Sequence, residues 1–220
     1  VIDLVGKDKK VLEIGAGSGS ITTHLVQTNR CRVSALEINP ASIEKLRAIT
    51  SDIYDLDLND AAWAGALQQA GPFDCVVAAD VLEHLYDPWT VLRQMRSLLG
   101  DNGSIVLSLP HAGHCTVLGC LAQNDLEYRE WGLLDKTHIR FFGIRNIQAL
   151  HESADLAILD VRFVMRRPED TELAGRWNAL PKTVRSALSE NRFRNVYQVV
   201  TRSVPRGAVS QAINLLDLDP

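Results

Sequence analysis

Apolar positions in the first half of this chain fall into two alternating rhythms. Short, nearly continuous apolar runs are separated by stretches in which apolar residues recur every three or four positions. That is the pattern of parallel strands buried on both faces and joined by helices. Lys10-Val11-Leu12-Glu13-Ile14 predicts a strand running into Gly15-Ala16-Gly17-Ser18-Gly19, with a helix over residues 21–27. Residues 31–37 read as a second strand, and Pro40 suits the first turn of a helix that puts Ile43 and Leu46 on one face. Residues 48–53 form a weak third strand, expected at the sheet edge, and residues 73–80 a strong fourth. Val91, Leu92, Met95, Leu98 and Leu99 then recur at helical spacing, with Gly100 and Gly103 expected to end the helix. Residues 104–109 are the fifth strand, stopped by Pro110.

The rhythm fails over residues 111–142, which are rich in aromatic and charged side chains. This stretch is expected to be an inserted cap over the carboxyl ends of the strands, where open α/β sheets bind their ligands. Beyond it, residues 144–150 and 182–189 read as helices and residues 157–164 and 196–201 as strands, while the tail after Pro205 carries no pattern. The expectation is one α/β domain over residues 1–220 with 111–142 as the cap insertion.

Composition narrows the picture a little. With 46% hydrophobic residues in 220, the chain has enough apolar material for one sizeable core. A net charge of −4 gives no bulk attraction to nucleic acid or an anionic membrane, so neither is an expected partner. No apolar run reaches the roughly 18 residues a membrane span needs. The first ten residues lack the layout of a secretory signal, and the chain starts almost on a strand without Met, so the native protein is expected to extend upstream. The cysteines Cys31, Cys75, Cys115 and Cys120 sit in apolar contexts and read as free thiols of a reducing cytoplasm.

The glycine-rich turn between strand and helix lets a ligand approach the backbone and offers free N–H groups. It is not a dinucleotide fingerprint, because the third glycine comes one residue early and Ser20 occupies the expected place. No Walker motif is present. Glu37, ending the second strand, is either a solvated strand-end acid or an acceptor for two ribose hydroxyls. Asp52, after the third strand, could accept from an adenine amino group, and Ile53 offers an amide and an apolar face.

Taken together, these segments become specific. Val11-Leu12-Glu13-Ile14-Gly15-Ala16-Gly17-Ser18-Gly19 resembles the first motif of class I S-adenosylmethionine-dependent methyltransferases, and Ala35-Leu36-Glu37-Ile38-Asn39-Pro40 their ribose-binding segment. Residues 73–85 are similar to the segment after the cofactor in small-molecule members, and Leu99-Gly100-Asp101-Asn102-Gly103-Ser104 to their turn into strand five. The resemblance implies a Rossmann-like, seven-stranded, mostly parallel sheet with its last strand antiparallel, and S-adenosylmethionine as cofactor. It implies that Gly15, Gly17 and Gly19 wrap the methionine part, with Glu13 in the same binding motif. Glu37 would hold the ribose, Ile38 would pack on the adenine, Asp52 and Ile53 would read it, and Asp80 would lie near the sulfonium.

The acceptor is less constrained. The Asn/Asp-Pro-Pro-Tyr/Phe motif of amino-methylating enzymes is replaced by Ala79-Asp80-Val81-Leu82, and the Pro-Cys pair of cytosine C5 methylation is absent. Leu134-Asp135-Lys136-Thr137-His138-Ile139-Arg140-Phe141-Phe142 resembles an Asp-x-x-His-x-Arg-Phe-Phe/Tyr segment of methyltransferases associated with sugars, cell-surface polysaccharides and natural products. That favours a hydroxyl oxygen on a small molecule: a sugar, a lipid-linked compound or a secondary metabolite. A hydroxyl acceptor profits from a general base, for which His138, His84 and His111 are the candidates. Asp135 would orient the His138 ring and Arg140 would anchor an anionic part of the acceptor.

No metal is expected. His111, His114, Cys115 and Cys120 lie close in sequence but lack the paired spacing of a zinc site. Two other functions stay open, a non-catalytic cofactor-binding partner subunit and a nicotinamide-dependent dehydrogenase. A homodimer is also possible.

Overall fold

In the computed structural model, which describes residues 1–220, seven strands form one sheet in the order β3-β2-β1-β4-β5-β7-β6. They are β1 (Lys10–Ile14), β2 (Arg32–Leu36), β3 (Ile53–Tyr54), β4 (Phe73–Ala79), β5 (Leu99–Pro110), β6 (Leu156–Met165) and β7 (Val196–Pro205). The pairs β1–β2, β2–β3, β1–β4 and β4–β5 are parallel, and β7 runs antiparallel to both β5 and β6. The connection order reverses between β1 and β4, so a crevice opens at their carboxyl ends, the usual binding position in such sheets.

The helices are α1 (Ile2–Val5), α2 (Ser20–Gln27), α3 (Pro40–Leu46), α4 (Trp63–Ala66), α5 (Pro88–Ser97), α6 (Cys115–Ala122), α7 (Ile144–Ser153), α8 (Ala174–Ala179) and α9 (Lys182–Leu188). Two of those flanking the crevice begin with the same device. Pro40 and Pro88 occupy the first turn, while the Asn39 side chain accepts from the amides of Ala41 and Ser42 and the Asp87 side chain from Thr90. Such a cap contributes about 1 kcal/mol.

Strand alternation sorts the core into two layers. Leu12, Ile14, Val76, Ala78, Ile105 and Leu107 face Trp63, Leu92, Met95, Ile147 and Leu150 on one side of the sheet. Val11, Cys75, Val77, Val106 and Val200 face Val5 and Leu25 on the other. Covering both faces explains why β4 reads as an almost unbroken apolar run. No helix is long and apolar enough to cross a membrane.

Three boundaries differ from expectation. The third strand is only Ile53–Tyr54, because residues 48–50 continue the turns that close α3, with Ala48, Ile49 and Thr50 donating back to Lys45 and Leu46. Gly100 and Gly103 do not end a helix but lie in β5, which begins at Leu99 paired with Phe73. A Cβ on Gly103 would come within 2.8 Å of the Leu99 Cβ and 3.0 Å of the Phe73 carbonyl oxygen, so close approach to β4 requires glycine there. The tail is not featureless, since Leu215 is fully buried and its amide donates to Gln148 on α7. All four cysteines are free and buried, and burial pushes the Cys75 thiol up to about 12 and Cys115 to about 11.

Candidate active site

The glycine turn after β1 is shaped by left-handed backbone. Gly15 has φ +65°, and a Cβ there would lie 2.5 Å from Val81 Cγ2, so only glycine lets the turn close against the segment after β4. Gly17, at φ +55°, has open space where its Cβ would be, and its amide donates to Glu37 Oε2 at 2.7 Å. Gly19 serves packing, because a Cβ there would sit 2.4 Å from Ile49 Cδ1. Glu13 is buried on β1 and accepts from Thr22 Oγ1 at 2.7 Å, tying the strand to α2. Burial with that single partner raises its carboxyl to about 7.

Glu37 Oε1 accepts from the amides of Ile38 (2.9 Å) and Asn39 (2.8 Å), so with Gly17 three backbone donors hold the carboxylate. An ionised carboxylate offers about four lone-pair sites. The remaining acceptor capacity faces a cavity of about 380 Å³ lined by Gly15, Leu36, Glu37 and Ile38 on one side and by Leu56, Asp57, Leu58 and Asn59 on another. Ile38 is 56% exposed and presents an apolar surface there. Asp80, Val81, His84 and Leu85 close the far end.

A second cavity of about 310 Å³ shares Asp80 and His84 with the first and adds Trp131, Gly132, Asp135 and His138 from the cap. Arg166, Tyr197 and Gln198 complete its wall. Asp80 stands between the cavities with φ +56°, a left-handed conformation aspartate tolerates, and its carboxylate accepts from the Gln198 amide. The cap reaches this place because the amides of Ile139 and Arg140 both donate to the Glu83 carbonyl oxygen at 3.0 Å. As a result the His84 and His138 rings meet edge to face with centroids 4.8 Å apart. His138 Nδ1 lies 3.4 Å from the Leu133 carbonyl oxygen, and His84 Nδ1 lies 3.2 Å from that of Thr137. Burial and the neighbouring His84 hold the His138 pKa below its ordinary value.

A family model described as a methyltransferase domain matches residues 3–161. The chain belongs to that family. Its sheet has the Rossmann-like architecture of the methyltransferase structures it superposes on. The ubiquinone biosynthesis O-methyltransferase of Escherichia fergusonii is 29% identical over 102 residues, 46% of this chain and 42% of that protein. The chain therefore spans less than half the length of the curated relatives it matches. An S-adenosylmethionine-dependent methyltransferase from Archaeoglobus fulgidus superposes with a TM-score of 0.61 at 15% identity, over 92% of this chain and 88% of that one. The O-methyltransferase of a Brevibacillus brevis polyketide multienzyme, solved with S-adenosylhomocysteine, gives 0.58 at 14% identity, over 91% and 68%.

The first cavity fits the methyltransferase cofactor on its own chemistry: a carboxylate with spare acceptor capacity at Glu37, apolar walls from Leu36, Ile38, Leu56 and Leu58, and a turn where Gly15 leaves room for no Cβ. Asp52 and Ile53 lie outside it. Asp52 precedes β3, at the end of the strand away from the crevice, where it accepts from the Ser34 hydroxyl, and Ile53 lines a separate surface hollow. Asp57 and Leu58 stand in the cavity instead, because the third strand starts later than its sequence pattern suggests.

Other expectations about the acceptor side also change. Asp135 does not orient the His138 ring, since its Oδ1 accepts from the Thr137 amide and hydroxyl at 2.8 and 2.7 Å. Arg140 points away, donating to the Tyr86 carbonyl oxygen with its guanidinium 5.6 Å from the Trp89 ring centroid. His111 is buried with Nδ1 3.1 Å from the Val196 carbonyl oxygen, and burial pushes it down to about 4, which leaves it out of both cavities. His114 is bonded on both ring nitrogens, to Thr116 and to the Arg166 carbonyl oxygen, so the His111–Cys120 stretch holds no ligand cluster. The one set of three ligand-type side chains in metal-binding proximity is Glu83, His84 and His138. Glu83 carries no signal of its own in the sequence beyond its place beside His84 in the segment after β4. Arg166, Tyr197 and Gln198 had no local signal, because β6 and β7 bring them to the cavity from far along the chain.

Proposed function

We propose that this methyltransferase transfers the methyl group to a hydroxyl oxygen of a small molecule held in the second cavity. The observation that carries this reading is that the two cavities meet at Asp80 and His84. A cofactor lying along Glu37 and Gly15 would then direct its sulfonium end toward whatever the cap encloses. Oxygen is favoured by the imidazole pair at the junction, and a ubiquinone O-methyltransferase among the relatives supports the same choice.

Bound S-adenosylmethionine supplies an electrophilic methyl group. Transfer to the acceptor oxygen would release S-adenosylhomocysteine. The acceptor's proton must leave as well. His84 and His138 are the imidazoles at the junction and are the groups that would take up that proton. The chain otherwise contributes alignment and exclusion of water. Trp131 and Gly132 from the cap and Tyr197 from β7 wall the acceptor in, and Arg166, whose guanidinium lies 4.3 Å from the Tyr197 ring centroid, is the cation facing it.

The test is S-adenosylhomocysteine release with matched hydroxyl and amine acceptors of sugar, lipid-linked and phenolic types. Turnover with hydroxyl compounds alone supports the reading, and turnover with amines alone overturns the choice of oxygen. Cofactor binding without release for any compound would instead favour a non-catalytic partner subunit. Replacing the cap by a short linker should leave cofactor binding intact and abolish transfer. Normal transfer without the cap would overturn its role.

A further inference from the structure

Glu83 is the least satisfied group in the molecule. Its side chain is 0% exposed, and neither Oε1 nor Oε2 has a hydrogen-bond partner. Buried carboxylates are normally hydrogen-bonded or paired with a cation, because removing such a group from water without compensation is costly. Burial, with Asp80 and Asp135 adding repulsion, raises its carboxyl to about 8.

The two histidines beside it are arranged in a complementary way. Carbonyl oxygens can only accept, so the contacts of His138 Nδ1 with Leu133 and of His84 Nδ1 with Thr137 put the ring proton on Nδ1 in both. The Thr137 hydroxyl, 3.1 Å from His84 Nδ1, spends its own hydrogen on Asp135 and so acts there as a second acceptor. Each Nε2 is therefore the ring nitrogen left without a hydrogen-bond partner. His138 Nε2 lies 3.9 Å from Glu83 Oε1, and one ligand atom from each of the three side chains falls within 4.8 Å of the others. Three ligand-type side chains thus converge with no hydrogen bond joining them to one another. Histidines held through Nδ1–H to carbonyl oxygens are also what supports imidazole ligation of a metal.

We propose that Glu83, His84 and His138 bind a divalent transition-metal cation at the junction of the two cavities. Two imidazoles and one carboxylate suit zinc, iron, cobalt or manganese, whereas magnesium prefers an all-oxygen set. His84 lines both cavities and His138 the second, so an ion held by them would lie beside the acceptor's cavity. Such an ion would polarise a bound hydroxyl as a Lewis acid, so that its proton would leave more readily. This deepens the reading of the site as an O-methyltransferase centre and rests on it, with the histidines then acting as ligands rather than as the base itself.

The test uses chelator-treated, untagged full chain loaded with S-adenosylhomocysteine and titrated with Co2+ (visible absorption) and Zn2+ (calorimetry). The expected result is one ion per chain, a Co2+ spectrum with nitrogen ligation, and affinity reduced at least about tenfold in both Glu83→Gln and His138→Ala. Circular dichroism and S-adenosylhomocysteine binding in the metal-free variants report whether they fold. Zinc and cobalt affinities unchanged in both folded variants, no uptake by the parent protein, or uptake of Mg2+ alone would each overturn the metal site. Loss of S-adenosylhomocysteine binding in the metal-free parent would instead overturn the methyltransferase reading, so the two failures are distinct.

Discussion

On the β1–β2 side of the crevice, Glu37 sits in a nest of three backbone amides, and Glu13, one strand over, has the Thr22 hydroxyl. On the β4 side, Glu83 is buried as deeply and has no donor at all. The first region is thus organised by contacts within the chain before any ligand arrives. Its parts lie in consecutive βα units, so the turn that makes the carboxylate also makes its donors. The second region is assembled from the turn after β4, a loop of the cap and two distant strands, and its polar groups are left facing one another. A site of the first kind holds a ligand by shape and prepaid geometry, while a site of the second kind waits for something that completes it.

Four measurements press on that contrast. The largest effect concerns Glu13, whose carboxyl is raised from 4.5 to about 7 by burial. The native state keeps that proton where the unfolded chain has lost it, so this contribution to stability is full below about pH 4.5 and falls as pH rises to about 7. The whole change is about 3 kcal/mol at 1.36 kcal/mol per unit. In chemical denaturation, Glu13→Gln should therefore gain on the parent by about that amount between the two ends of this range. A difference independent of pH would mean that Glu13 titrates alike in the folded and unfolded chain, its burial fully offset by its donor and unlike that of Glu83.

Next in size, His138→Ala and His84→Ala should each reduce turnover about a hundredfold, the usual range for a group that activates the acceptor. Cofactor affinity, measured by calorimetry with S-adenosylhomocysteine, should barely move. Near-normal turnover in both would show that transfer runs by proximity alone.

A smaller loss is expected at Glu37. Glu37→Ala should weaken S-adenosylhomocysteine binding at least about tenfold, from the loss of a charged acceptor worth roughly 1.5–3 kcal/mol. Glu37→Gln should do less harm if organising the turn matters more than charge. Unchanged affinity in the alanine variant would remove Glu37 from the ribose site.

The smallest effect separates two aspartates. Asp57→Ala should cost a few-fold in S-adenosylhomocysteine affinity, about 1 kcal/mol for one hydrogen bond, while Asp52→Ala leaves binding alone and instead frees the Ser34 hydroxyl. The reverse pattern would return adenine recognition to the start of β3.

The sheet and its cofactor end were legible because their information is local. A both-faces-buried strand reads as an apolar run, a turn with left-handed backbone reads as glycine, and Glu37 reads as the acid ending a strand. Where residues outside the pattern had to be ranked, local reading slipped. Residues 48–52 have strand-like composition but close a helix, and the two-residue β3 moved the cavity-facing aspartate from Asp52 to Asp57. The glycines at 100 and 103 look like a helix stop and are spacers for close strand packing.

By itself the sequence determined the α/β class and, through its family resemblance, a seven-stranded sheet with its last strand antiparallel, and it singled out the glycine turn, Glu37 and the two histidines as residues worth attention. Only the tertiary structure decided what those histidines face. Periodicity reports which side of an element is buried, not which element it is buried against, so the meeting of His138 with His84 over the orphaned Glu83 had no trace in spacing. The hydrogen bonds that settle each ring's proton come from carbonyls at Leu133 and Thr137, and for His84 that is a contact between segments more than fifty residues apart. The chemistry of the acceptor side is a property of that docking.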